Sequence, residues 1–295
     1  MKKLLLASAC GLALAGTAHA ATDKLLLTGG VSTIDGAAGG GISPWAVIGS
    51  NATEGQWGVA LHASHARTQD YKLNAYGLAV GFNDRVEFSL ARQDFDTGET
   101  GPALGIPGLK LKQDIVGAKL RIAGDAVLDS DTLMPQIAVG VLAKRVDAGG
   151  LAPTLAALGA RRNGVDLYLS ATKLFLVPGI LVNGTLRASK ANQNGLLGYG
   201  GTAHDKVKLL PEVSVAYLIN RTLAVGAEYR VKPDNLNPSL LGAGLKEDDW
   251  FDIFLAWAPT KNLSITAAYV DLGHIVPGVK TRRQTGAYLS AQLAF

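Results

Sequence analysis

The sequence predicts an all-β fold, a transmembrane antiparallel up-and-down β-barrel of about twelve strands, and three observations carry that prediction. Apolar side chains recur at every second position in runs of ten to twelve residues, the period of a strand with one greasy face. The connections between these runs alternate between tight and long, as short periplasmic turns and longer outer loops do in membrane barrels. A leader with the features of a secretory signal precedes them.

The leader spans residues 1–20, with Lys2 and Lys3, an apolar run from Leu4 to Leu14 and the small-residue site Ala18-His19-Ala20. That order reads as a signal peptide and predicts export to the bacterial cell outer membrane. Cys10 falls inside the leader, and the residues before it, Ala7-Ser8-Ala9, are not those of a lipoprotein box. The mature chain therefore holds no cysteine, which excludes disulfides, thiolate metal sites and cysteine nucleophiles.

Composition narrows the class further. At 48% hydrophobic and 18% charged, with 36 glycines in 295 residues, the chain is too apolar for a disordered one. Its pI of 9.1 comes without a basic stripe, so no nucleic acid is expected as a partner. The mean hydropathy of +0.19 suggests membrane residence, yet no stretch past the leader reaches the ~18 apolar residues of a spanning helix.

The alternation predicts strands near 55–66, 71–82, 84–95, 113–123, 134–146, 163–174, 179–190, 207–218, 221–232, 249–258, 261–272 and 284–295. Runs such as Phe251, Ile253, Leu255, Trp257 and Ala287, Leu289, Ala291, Leu293, Phe295 show the pattern most plainly. The final Phe295 resembles the terminal aromatic that outer-membrane barrels present to the barrel-assembly machinery, and outer-membrane lipids and lipopolysaccharide are the other expected partners. Oligomeric state is not legible. Residues 21–54 differ from the rest: glycines crowd 29–41, and the segment reads as a plug, a periplasmic arm or two further strands that would make fourteen.

Within that segment, Thr28-Gly29-Gly30-Val31-Ser32, Gly36-Ala37-Ala38-Gly39-Gly40-Gly41 and Pro44-Trp45-Ala46 stand together. In these stretches the chain resembles a proteobacterial family of outer-membrane barrels catalogued as domain of unknown function 3034. The resemblance implies location and fold and supplies no functional residue.

On the polar faces of the strands, Glu87, Lys119, Arg121, Lys144, Asp166, Arg187, Glu212, Glu228, Arg230 and Asp252 are expected to line the lumen, five basic and five acidic. Such balance argues against a strongly ion-selective pore. Ala75, Gly77, Ala79 and Gly81 put almost no volume on their side, which predicts free space along that wall. The outer loops are unusually apolar; Leu155, Leu158, Leu240 and Leu241 are read as a lid packed on itself or at the lipopolysaccharide interface or, as the alternative, as a gate.

Signals for chemistry are weak. His62 and Ser64 share a strand face but have no third residue to orient a base, so a polar wall pair is expected and no catalytic residue is assigned. His204 and His274 stand alone in loops, and no metal or cofactor is expected. Gly36–Gly41 lacks the lysine and hydroxyl of a phosphate loop. The functional reading is a narrow channel or uptake protein for small solutes, hydrophobic ones among them, rather than an enzyme; the alternatives are a membrane-embedded hydrolase and a structural or surface-interaction barrel without cargo.

Overall fold

A computed structural model describes residues 24, 26–125, 132–239 and 241–295; the leader and Leu240 lie outside the described residues. Two short strands open the chain, β1 (Val31–Ser32) and β2 (Ala38–Gly39). Twelve longer ones follow: β3 (Trp57–Thr68), β4 (Lys72–Phe82), β5 (Val86–Asp96), β6 (Lys110–Ala123), β7 (Gln136–Asp147), β8 (Asn163–Phe175), β9 (Ile180–Ser189), β10 (Lys208–Asn220), β11 (Leu223–Arg230), β12 (Trp250–Trp257), β13 (Leu263–Asp271) and β14 (Thr285–Ala294). Each of the twelve predicted strands is present, with no end shifted by more than three residues.

All twelve pair antiparallel with their sequence neighbours, and β14 closes onto β3 from Gly286↔Thr68 to Ala294↔Ala60. Closure leaves no unpaired strand edge, which is what a sheet needs in a medium without water. Phe295 extends the seam, its N–H donating to Val59 O at 2.8 Å and its carbonyl accepting from Val59 N at 3.0 Å.

Side chains alternate across the wall. On β12 Phe251, Ile253, Leu255 and Trp257 face outward, whereas Trp250, Asp252, Phe254 and Ala256 are buried. The exposed aromatics collect at the two ends of the wall. Trp57, Phe82, Phe175, Trp257 and Phe295 sit at the short-turn rim, and Tyr229, Phe251 and Tyr269 lie toward the long loops. Such girdles mark the two membrane interfaces, because an aromatic ring with a polar edge is best placed between lipid and water. Ile253 lies between the girdles and is 50% exposed. Ile253→Arg is therefore expected to destabilise the barrel by ~2–4 kcal/mol in denaturant titrations of vesicle-folded protein, as a charge does near the bilayer midplane.

The N-terminal segment does not add strands to the wall. β1 and β2 pair with each other, Val31↔Gly39 and Ser32↔Ala38, and every residue from 31 to 50 is buried inside the barrel. Gly36 turns this hairpin at φ +91°, a backbone conformation that L side chains avoid. Its other end folds back through Trp45, whose N–H donates to Ala38 O at 3.1 Å. The space predicted beside Ala75, Gly77, Ala79 and Gly81 is thus taken: a side chain at Gly81 would meet Gly49 O at 2.7 Å and Ile48 Cγ2 at 3.0 Å. The small wall residues make room for chain.

The outer loops, carrying the short helices α1 (Thr100–Ala103) and α2 (Ala152–Ala157), fold over the opposite mouth. Tyr71, Phe95, Leu109, Leu155, Leu196, Leu236 and Ile275 form one buried cluster there, so their apolar surface is covered mainly by other loops.

Candidate functional site

Nine of the ten expected lumen residues, all except Arg121, have buried side chains on inner strand faces. Arg121 is half-buried at the short-turn rim, 3.0 Å from Asp84 and 3.2 Å from Asp125. Lys24 also reaches Asp84 at 2.8 Å and donates to Ile48 O and Ser50 O, tying the entering segment to that rim.

Deeper inside, wall side chains grip the backbone of the N-terminal segment. Glu87 accepts hydrogen bonds from Ala38 N at 3.1 Å and Gly49 N at 2.7 Å. Its partner Lys119, 3.3 Å away, donates to Ala38 O and Val47 O. Glu228 accepts from Gly41 N at 2.6 Å and Ile42 N at 2.9 Å. Gly40 permits this approach, because a Cβ there would fall 2.0 Å from Glu228 Oε1. Ser170 and Thr185 donate to Pro44 O, and Thr172 accepts from Ala46 N. Most of these contacts supply a partner to a buried backbone group, whose burial unpaired would cost ~1–3 kcal/mol each.

Five of the six remaining charges, all but Asp252, converge on Asp35. Its carboxylate lies 3.0 Å from Lys144, 3.6 Å from Arg187 and 3.9 Å from Arg230. Asp166 and Glu212 complete the group, pairing with Lys144 at 3.0 Å and with Arg187 at 2.5 Å. The wall alone supplies three cations and two anions, so Asp35 makes the buried set neutral. Asn194, from the loop between β9 and β10, dips into the barrel to donate to Asp35 at 2.7 Å while its own oxygen accepts from Lys144 and Arg230. Sequence reading missed Asp35 and Asn194. Asp35 was visible as the one acid in a glycine-rich stretch, and Asn194 as part of an Asn-Gln-Asn-Gly turn.

Above this layer the cap holds two adjoining apolar spaces. The outer one, about 260 Å³, is lined by Leu104, Leu155, Leu158, Leu197, Leu241 and Val279. A smaller one of about 50 Å³ lies against Tyr71, Phe95, Leu109, Trp250 and Ile275, and the two share Leu104, Leu151, Leu197 and Val276. Of the expected gate residues, Leu155 and Leu158 are buried in the cap and Leu241 is exposed at its edge. Polar pairs ring the cap: Arg282 forms an ion pair with Asp70 at 2.7 Å, and the His274 ring lies at hydrogen-bond distance, 2.5 Å, from Asp248. Hydrogen bonds from Arg282 and Gln284 hold the Asp70 carboxyl well below the usual carboxylate range, against the opposing effect of burial. Burial likewise opposes ionisation of Asp248, but bonds from His274 outweigh it and lower the acid.

His62 and Ser64 are buried on the inner face of β3 without bonding each other; Ser64 Oγ reaches Ala75 O at 3.4 Å, and both His62 nitrogens lack a partner. Among the described residues no group of three or more His, Cys, Asp or Glu could hold a metal ion.

The architecture has solved counterparts. The KdgM porin aligns with a TM-score of 0.50 at 10% identity, covering 80% of this chain and 99% of that one. The NanC porin gives 0.51 at 9% identity, covering 80% and 100%. An outer membrane channel from Pseudomonas putida F1 gives 0.47 at 12% identity, covering 83% and 97%. For the two porins, at such identities, the likeness is one of fold, that of an outer-membrane β-barrel. No curated protein matches the chain. The sequence from residue 28 to residue 292 matches the family model described as protein of unknown function (DUF3034), nearly the whole of the barrel and the segment inside it, and the chain belongs to that family.

Proposed function

We propose that this barrel takes up small apolar solutes, capturing them in the outer cap and passing them inward when the N-terminal segment shifts. The apolar space of about 260 Å³ among the outer loops carries the reading. A leucine-lined cavity open to the outer face is of use to a molecule leaving water, whose burial gains roughly 25 cal/mol per Å² of apolar area. In this reading Leu155, Leu158, Leu240 and Leu241 gate the cap, residues 21–54 are the plug, and the inward-facing charges hold that plug in register. Residues 1–20 direct export, Phe295 presents the closing strand to the assembly machinery, and the outward faces meet lipid and lipopolysaccharide.

A second reading, a structural barrel without cargo, is favoured by the filled interior. Calorimetric titration of the barrel in lipid nanodiscs with naphthalene, against empty nanodiscs, separates the two. Uptake predicts saturable binding above lipid partition, weakened roughly tenfold by Leu104→Trp, which fills the shared lining of both spaces. Partition identical to that of empty discs would leave the structural barrel.

A further inference from the structure

The barrel interior is divided lengthwise. Inward acids and bases come from β5 through β12: Glu87, Lys119, Lys144, Asp166, Arg187, Glu212, Glu228, Arg230 and Asp252. The inner faces of β13, β14, β3 and β4 carry no Asp, Glu, Lys or Arg; they present Thr266 and Ala268, Tyr288 and Ser290, His62 and Ser64, and Ala75 and Ala79. These four strands are adjacent in the barrel, so the neutral faces form one continuous wall.

The N-terminal segment is attached differently to the two halves. Toward β5–β12 its backbone and Asp35 are held by the bonds described above. Toward the neutral wall, among the described residues, the side-chain hydrogen bond made by residues 31–50 is Ser32 Oγ to Gln292 Oε1, at 2.8 Å. The rest of that contact is van der Waals packing, with Ile34 and Ile42 set among Ala66, Ala75, Val270 and Tyr288. Apolar contacts of this kind have no directional bond to break and part more readily than a charged, hydrogen-bonded face.

Polar atoms on the neutral wall point to what the seam accommodates. His62 is 5% exposed, yet neither ring nitrogen has a protein partner. Asp252 Oδ1, at the edge of the charged half, also lacks one. Buried polar atoms are stable when something bonds them, and a passing water or polar solute group would. The register places these groups in a line, with Gln292 opposite His62, Ser290 opposite Ser64 and Tyr288 opposite Ala66. That line runs between two spaces. At the short-turn end is one of about 260 Å³ lined by Leu27, Ser264, Gln292 and Ala294. At the loop end is the cap space against Tyr71, Leu73, Trp250 and Leu272.

We propose that passage through the barrel follows this seam, between the N-terminal segment and the wall of β13, β14, β3 and β4, with Ile34 and Ile42 as its constriction. A seam edged by hydroxyls and one imidazole, with a single carboxyl, that of Asp252, at its border, suits small uncharged solutes. The proposal rests on the uptake reading but is tested independently of it, because reach into the seam can be read without any bound solute.

The mature chain has no cysteine, so a single introduced thiol reports its own position. Ser290→Cys and Ser64→Cys place one on the seam, and Thr185→Cys places one on the opposite half, where Thr185 bonds Pro44 O at 2.7 Å. The probe is methyl methanethiosulfonate, small and uncharged, and its rate of attachment to the folded barrel in nanodiscs is followed by mass spectrometry. The seam thiols are expected to react at least about tenfold faster than the thiol at position 185, and Ile34→Ala with Ile42→Ala to accelerate only the seam thiols. Equal rates at the three positions, or fastest reaction at position 185, would overturn the proposal. Naphthalene binding that fails while seam thiols still react would instead sink the uptake reading alone.

Discussion

Deleting residues 24–54 is expected to convert a closed barrel into an open pore. A twelve-stranded wall lies between the eight-stranded barrels that side chains fill and the sixteen-stranded ones that enclose water, so its interior is too wide for its own side chains to close. Here residues 31–50, all buried, occupy that space. The ladder from β3 to β14 closes without them, and the wall charges they leave behind would be hydrated in a wet lumen. In planar bilayers the deleted chain should show steady conductance at least roughly tenfold above the full chain, with weak ion preference because basic and acidic wall residues are balanced. Unchanged low conductance in a correctly folded deletion would mean that the outer cap, not the segment, seals the barrel.

The fold was legible because its signal is repetitive. An alternation that puts Ile253 outside and Asp252 inside recurs in strand after strand, and each short turn resets the count, so errors do not accumulate. The interior was less legible for a physical reason. Ala75, Gly77, Ala79 and Gly81 look like empty space in a strand-by-strand reading, since nothing local says that Ile48 and Gly49 will pack on them. The same limit applies to Asp35, which gains its role from Lys144, Arg187 and Arg230 on three different strands. Apolar loops such as that of Leu155 announced a cap, but whether they covered each other or left a cavity depended on packing among five separate connections. Periodicity reports which way a side chain points; it does not report what it meets.

Asp35→Asn is expected to destabilise the folded protein by about 3–5 kcal/mol, the cost of removing one partner from a buried charge group. The substitution keeps the shape but removes the charge and one of the two acceptor oxygens, leaving Lys144, Arg187 and Arg230 against Asp166 and Glu212 alone, all buried. The excess positive charge has no water to relax into while residues 31–50 stay docked, so the segment should loosen before the wall does. A fall in midpoint for protease cleavage within the segment, at a denaturant concentration where the barrel still migrates as folded on a gel, is the measurement. A compensating change sharpens it. Lys144→Met added to Asp35→Asn returns the set to two cations and two anions, and the double variant should be more stable than Asp35→Asn alone, by a coupling of roughly 1–3 kcal/mol. Strictly additive losses would show that Asp35 acts through its hydrogen bonds to Asn194 and Gln93 and not through charge balance.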